Sequence, residues 1–387
     1  MREDELKRII AGGETSTVQF KLHLDSMDGI AAEMIAMSNS KGGIIIFGVE
    51  DKTGHIAGLD YTQLQDTGNR LATIATDLVK PQIFVTTEAI TITENETEKR
   101  VLVVHIDEGI AKPYKDKSGV IWIKQSGDKR RLTDNNEQIR LFQQSGLVYV
   151  DEMIVPETSM AEIDKDKVQE YLEKISEDNI DIDTNKEQIY KNIGILKDDR
   201  LTLAGLLFFG KHPQRFRPAF CMKAIAFYGD DIADCNYRDS RDITGTLPMM
   251  FEEGMRFFNM NMFHTQQGQD FNSEGKLEIS EIALQELLQN ALTHRDYTKN
   301  APVRLLIFEN SIEIISPGCL PNSLTVENIR MGNAVVRNNL IVSYASKLMK
   351  YRGFGSGIAR AVRNQPNIQF YNDRLGEQFR IVIPRNH

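Results

Sequence analysis

The segment with the most chemical content is Glu286-Leu287-Leu288-Gln289-Asn290. Glu286 and Asn290 stand four residues apart, so on a helix they share one face while Leu287, Leu288 and Ala291 turn to the core. A carboxylate at 286 can polarise or deprotonate a water. The Asn290 amide oxygen is a hard, neutral ligand for Mg²⁺, which usually keeps waters and phosphate oxygens as its other ligands. Downstream, Gly353-Phe354-Gly355-Ser356-Gly357 precedes a helix, where backbone N–H groups suit a phosphate chain. Neither motif is specific alone, and an ordinary surface pair at 286 and 290 is the plain alternative. Their order, with a strand hairpin between them, gives them weight together. A second feature is cationic. Lys124 and Lys129-Arg130-Arg131, near Trp122 and Tyr114, offer salt-dependent, sequence-blind phosphate contacts. The same residues equally describe a solvated hairpin edge that blocks sheet aggregation.

These residues need elements to hold them. In the N-terminal third the pattern predicts helices over 5–11 and 27–37, then the turn formers Ser38 to Gly43. The run Ile44-Ile45-Ile46-Phe47-Gly48-Val49 predicts a strand buried on both faces, with Gly42-Gly43 letting backbone approach closely before it. A helix over 62–79 ended by Pro81, strands over 83–93, 100–107 and 119–124, and a helix over 136–144 complete this part. Ser159-Met160-Ala161-Glu162 matches a capping box for a helix through 165–175, the polar stretch 176–185 follows, and 186–193 is a further helix. The run 203–209 is apolar and unbroken, 220–228 reads as a strand, and 243–262 as a helix. On it Met249, Met250, Phe257, Phe258, Met260 and Met262 read as core. The last third gives a helix over 280–292, a hairpin of strands 303–308 and 311–315, and helices over 341–349 and from 358. A final strand covers 378–383.

The whole is an α/β (α+β) multidomain chain, since 387 residues exceed one ordinary core. The expected division is 1–146, 147–270 and 271–387. With 41% hydrophobic and 26% charged residues, disorder is excluded. The net charge of −9 argues against a non-specific polyanion coat, so nucleic-acid contact must come from a local patch. Three cysteines, Cys221, Cys235 and Cys319, give neither a disulfide framework nor zinc spacing. The charged start of the chain carries no signal-peptide pattern, and no apolar run approaches the roughly 18 residues of a membrane span, so the expected setting is the cytoplasm.

A resemblance joins these parts. The stretch Ala283 to Tyr297 resembles the N-box region of the divergent GHKL ATPase-like module found at the C-terminus of a family of bacterial transcriptional regulators. Ile312-Glu313-Ile314-Ile315-Ser316-Pro317-Gly318-Cys319-Leu320-Pro321, the pair Arg337-Asn338 and the turn Gly353 to Ile358 follow in the family's order. Leu203 to Gln214 is similar to its middle segment. The first third resembles the Schlafen-type AlbA (divergent AAA-4) domain through Glu14-x-x-x-x-Gln19-Phe20-Lys21, Met37 to Gly43 and Ile46 to Asp51.

The resemblance implies a nucleic-acid-binding domain, with DNA or RNA contacts at Lys21, Lys124, Lys129, Arg130 and Arg131. It also implies an ATP-binding-like domain with ligand contacts at Asn290, Gly318, Gly353, Gly355 and Gly357. Mg²⁺ would sit at Asn290, Glu286 would activate water, and the chain would be a homo-oligomer. Two departures matter. Ser316-Pro317-Gly318 stands where GHKL ATPases carry the adenine-reading Asp. Gln19 replaces the second carboxylate of the Schlafen ribonuclease triad, leaving Glu14 with Asp51 or Glu50 for a cation. Three readings follow: a transcriptional regulator that binds nucleic acid and nucleotide, an enzyme (ATPase or metal-dependent ribonuclease), and an oligomeric scaffold that keeps both folds.

Overall fold

The computed structural model describes residues 1–94, 96–175, 186–265, 275–321, 324–349 and 355–385. They form two compact units, Met1–Val148 and Tyr149–His387. The fold is mixed α/β in both.

The first unit is built on a four-stranded sheet in the order Val18–Lys21, Gly43–Phe47, Thr97–Ile106, Val85–Glu94. Its first pair is parallel, joined through the Met27–Asn39 helix, and the other pairs are antiparallel. That helix is buried from Ile30 to Asn39. The isoleucine run behaves as its composition demands: Ile45 and Phe47 enter one apolar cluster and Ile46 the other, on opposite sheet faces. Gly43 is needed because a Cβ there would lie 2.4 Å from the Thr17 carbonyl oxygen. The expected helix over 62–79 is shorter. An α-helix spans Tyr61–Thr73 and a π-turn covers Ile74–Leu78, where the Thr76 hydroxyl donates back to the Ala72 carbonyl at 3.0 Å.

The second unit carries a six-stranded sheet: Tyr237–Ile243, Met222–Phe227, Val303–Ile307, Ser311–Pro317, Gln378–Pro384, Gln369–Asp373. Met222–Phe227 pairs parallel to Val303–Ile307, and the remaining pairs are antiparallel. Segments 147–270 and 271–387 therefore both contribute strands to it. The Leu247–Asn261 and Glu281–Thr293 helices pack on each other, the first also on Met222–Phe227 and the second on Ser311–Pro317.

Three expectations change here. Residues 243–262 are not one helix: Ile243 ends a strand, Gly245 turns at φ 115°, and the helix starts at Leu247. On that helix Met249 and Met260 are 46% and 66% exposed, because they fall on its outer face, while Met250, Phe257 and Phe258 are buried. Ser159 caps only the 3₁₀ turn Met160–Glu162, and the helix Lys165–Ile175 starts separately beyond Ile163. The stretch 176–185 lies outside the described residues.

Candidate functional site

The Glu281–Thr293 helix buries Leu284, Leu287, Leu288 and Ala291. Helical spacing therefore sets Glu286 and Asn290 on another face, where they line a hollow of about 120 Å³. The facing wall is the turn Gly355-Ser356-Gly357 and the start of the Gly357–Asn364 helix. A third side is the end of the Ser311–Pro317 strand with Gly318.

The approach is close. A Cβ on Gly357 would lie 2.4 Å from Glu286 Oε2 and 3.4 Å from Asn290 Nδ2. Gly355 takes φ +72°, and a side chain there would meet the Gly332 carbonyl oxygen at 2.4 Å. Gly318 takes φ +94° with its missing Cβ 2.3 Å from the Asp296 Cβ. Asn290, Gly318, Gly355 and Gly357 thus border one hollow. Gly353 lies outside the described residues.

The polar groups of the hollow are unevenly satisfied. Glu286 is paired with Arg360 at 2.9 Å, a cation from the first turn of the facing helix. Asn290 Nδ2 is buried with no hydrogen-bond partner among the described residues. Such an orphaned donor costs about 1–3 kcal/mol unless something supplies an acceptor. The first N–H groups of the Gly357–Asn364 helix have no side-chain cap at Ser356. An anion between them and Asn290 would satisfy both. If the Asn290 amide turned over, Oδ1 would face the same space and suit a cation.

At the other end of the hollow, Ser316 Oγ donates to the Ala291 carbonyl at 3.0 Å. Arg337 donates from Nη2 to the Cys319 carbonyl at 2.8 Å. Desolvation holds the Arg337 guanidinium below its usual pKa. Desolvation, and then the Arg337 charge, push His294 down to about 4, so its imidazole is neutral at pH 7. Asn338 ties the wall together, donating from Nδ2 to the carbonyls of Thr293 and Arg295. Arg360 was not singled out by spacing. Arg360 has no local signal, since its partner is 74 residues away in the chain.

In the first unit the acidic and basic residues are spent on each other. Glu14 Oε1 accepts from Gln19 Nε2 and from the Phe20 amide. Gln19 Oε1 accepts from Lys124 Nζ at 2.9 Å, and Lys124 also reaches Glu33 at 3.3 Å and the Gly127 carbonyl at 2.7 Å. Lys129 completes the chain on Glu33 at 2.6 Å. The Lys124 and Glu33 side chains are only 1% and 5% exposed. Lys124 is therefore an internal cation, held away from any bound polyanion. Asp51 pairs with Lys21 at 2.5 Å rather than turning to Glu14. Among the described residues no group of three His, Cys, Asp or Glu could hold a metal. Arg130 is paired with Glu137 at 2.7 Å, and Arg131 is exposed with its guanidinium 5.3 Å from the Trp122 ring centroid. Glu33 escaped the sequence reading, and Asn39, whose carboxamide bridges Tyr114 and Trp122, was read only as a turn former within the Met37 to Gly43 motif. They sit on a helix whose faces are both buried, so periodicity gives them no distinction.

With this geometry in place, three segments match known families. Residues 14–133 match the family described as "Schlafen, AlbA_2". Residues 140–223 match a domain of unknown function, DUF8451, and 300–372 match "Putative ATP-dependent DNA helicase recG C-terminal". The chain carries an N-terminal Schlafen AlbA_2 domain and a C-terminal recG-like ATPase-type domain. Gly318, Gly355 and Gly357 fall within the recG-like match, whereas Glu286 and Asn290 precede it. No curated protein matches the chain. Among solved structures it is similar to the DIP2311 protein from Corynebacterium diphtheriae, at 18% identity and a TM-score of 0.48, covering 99% of this chain and 80% of that one. Among the described residues no helix is long and apolar enough to cross a membrane.

Proposed function

We propose that the protein is a nucleic-acid-binding transcriptional regulator whose recG-like domain takes a nucleoside triphosphate of the ATP class, with Mg²⁺, as its control ligand. The carrying observation is Asn290: a buried amide without a partner among the described residues, facing uncapped helix N–H groups across a hollow. A phosphate chain supplies the acceptors that both lack. With Mg²⁺ on those phosphates and waters as its remaining ligands, the Asn290 amide would turn over to present Oδ1 to the ion, in place of its donation to phosphate. The family matches support this reading, since one names an ATP-dependent DNA helicase.

Binding ranks above hydrolysis. Glu286 can activate water only once Arg360 leaves it, and Arg360 has reason to leave when phosphates arrive beside it. In the AlbA_2 domain exposed Arg131 is the cation most open to DNA or RNA; Lys21 and Arg130 would exchange Asp51 and Glu137 for phosphates, whereas Lys124 and Lys129 share the buried Glu33. The ribonuclease reading finds no support in Glu14 and Asp51, which are committed to Gln19 and Lys21. Regulation requires that nucleotide bind more tightly to one arrangement of the protein than to another.

A thermal-shift titration tests this directly. Mg·ATP at a hundred times its Kd stabilises the folded form by about 2.7 kcal/mol, a rise of several degrees. Asn290→Ala should remove the rise. A melting temperature indifferent to millimolar Mg·ATP would favour the scaffold reading instead.

A further inference from the structure

Beside Gly318 the hollow carries a cation where a carboxylate would be needed to hold an adenine amino group. Arg337 lines it, partly exposed, with one protein hydrogen bond among the described residues, Nη2 to the Cys319 carbonyl. A guanidinium has five N–H donors, so most of its donor fork has no partner among the described residues. No carboxylate of those residues lies within ion-pair distance of it. Asp296 is the nearest acidic influence, and its Oδ1 accepts from the Thr298 amide and hydroxyl. Among the described residues the only carboxylate lining the hollow is Glu286, which is paired with Arg360. Its remaining N–H donors can take acceptors from a ligand in the hollow.

Resting on the nucleotide reading above, we infer that Arg337 reads the base, and that the hollow prefers a purine whose outer edge offers two acceptors, guanine or hypoxanthine, over adenine. The fork of Arg337 matches O6 and N7 of a 6-oxopurine, a bidentate pairing that adenine cannot make. Adenine would set its 6-amino donor against N–H donors, and the mismatch counts against it as much as the match counts for guanine. Gly318 permits this placement: the position its Cβ would occupy lies 3.0 Å from Arg337 Nη1, so any side chain there would crowd the guanidinium.

Calorimetric titration of the full chain with the Mg²⁺ complexes of GTP, ITP and ATP tests the inference. GTP and ITP should bind alike, and each about tenfold more tightly than ATP. Arg337→Met should bring GTP down to the ATP level while leaving ATP affinity within about twofold, a selectivity change that a merely structural residue would not produce. The nucleotide series on the unaltered chain decides the matter even if that variant does not fold. ATP binding as tightly as GTP overturns this inference and leaves the nucleotide reading standing. Absence of binding by all three overturns both.

Discussion

Asn290 shows what a single residue can and cannot reveal. Its place on one face with Glu286 was legible from spacing alone, because four residues close one helical turn. That its Nδ2 is buried and lacks a partner among the described residues depends on the Gly357 helix start brought against it, which no local pattern encodes. Two other residues make a pH-dependent pair. Burial pushes Asp151 up to about 6; its Oδ2 accepts from the Ile341 amide at 3.0 Å. His294 is pushed down to about 4. With unfolded values near 3.9 and 6.5, the signs are opposite. His294 contributes stability above about pH 6.5 that is lost as pH falls towards 4. Asp151 contributes stability below about pH 3.9 that is lost as pH rises through 6. Between about pH 4 and 6 the two largely cancel. Asp151→Asn removes one side of the balance. Its denaturant-derived stability should therefore drop more steeply than wild type's on acidification from about pH 6 to 4, by at most about 3 kcal/mol. A parallel pair of curves would refute the assignment.

At the scale of elements, central strands were readable, but of the four edges of the two large sheets only Val85–Glu94 was, as the strand expected over 83–93. The isoleucine strand Gly43–Phe47 and the 303–315 hairpin show apolar runs because they are covered or paired on both sides. Val18–Lys21, Tyr237–Ile243 and Gln369–Asp373 went unread, and each is an edge strand. Their polar residues, such as Arg238, Asp239, Arg241 and Asp242, suit an edge that must not pair further, and that same polarity hides the strand. The hairpin Trp122–Gln125 with Asp128–Arg131 is locked by Lys124 into Glu33 and Gln19. Removing one partner of so buried a pair costs about 3–5 kcal/mol. Chemical denaturation of Lys124→Ala should show a loss of that order, against about 0.5 kcal/mol or less for exposed Arg131→Ala. Equal effects would mean that the network does not hold the hairpin. Gly357→Ala should abolish any nucleotide-induced stabilisation, since its methyl would meet the Glu286 carboxylate at 2.4 Å. An undiminished shift in that variant would place the ligand elsewhere.

For the whole molecule the decisive quantity is charge. A net charge of −9 leaves little for a polyanion, and most basic residues suggested for that task are already paired. If Lys21, Arg130 and Arg131 are the phosphate contacts, duplex DNA affinity should fall with salt at a log–log slope no steeper than about −3. A slope near −8 would require a basic surface other than this one. The central claim, that phosphates bridge Asn290 and the Gly355–Gly357 turn, is tested most directly by a crystal structure of the full chain with a non-hydrolysable Mg·nucleoside triphosphate. The account expects phosphate density within hydrogen-bond distance of the Asn290 amide and the Gly357 backbone, with Arg360 drawn off Glu286. A nucleotide bound elsewhere, with the Glu286–Arg360 pair still closed over the hollow, would contradict it.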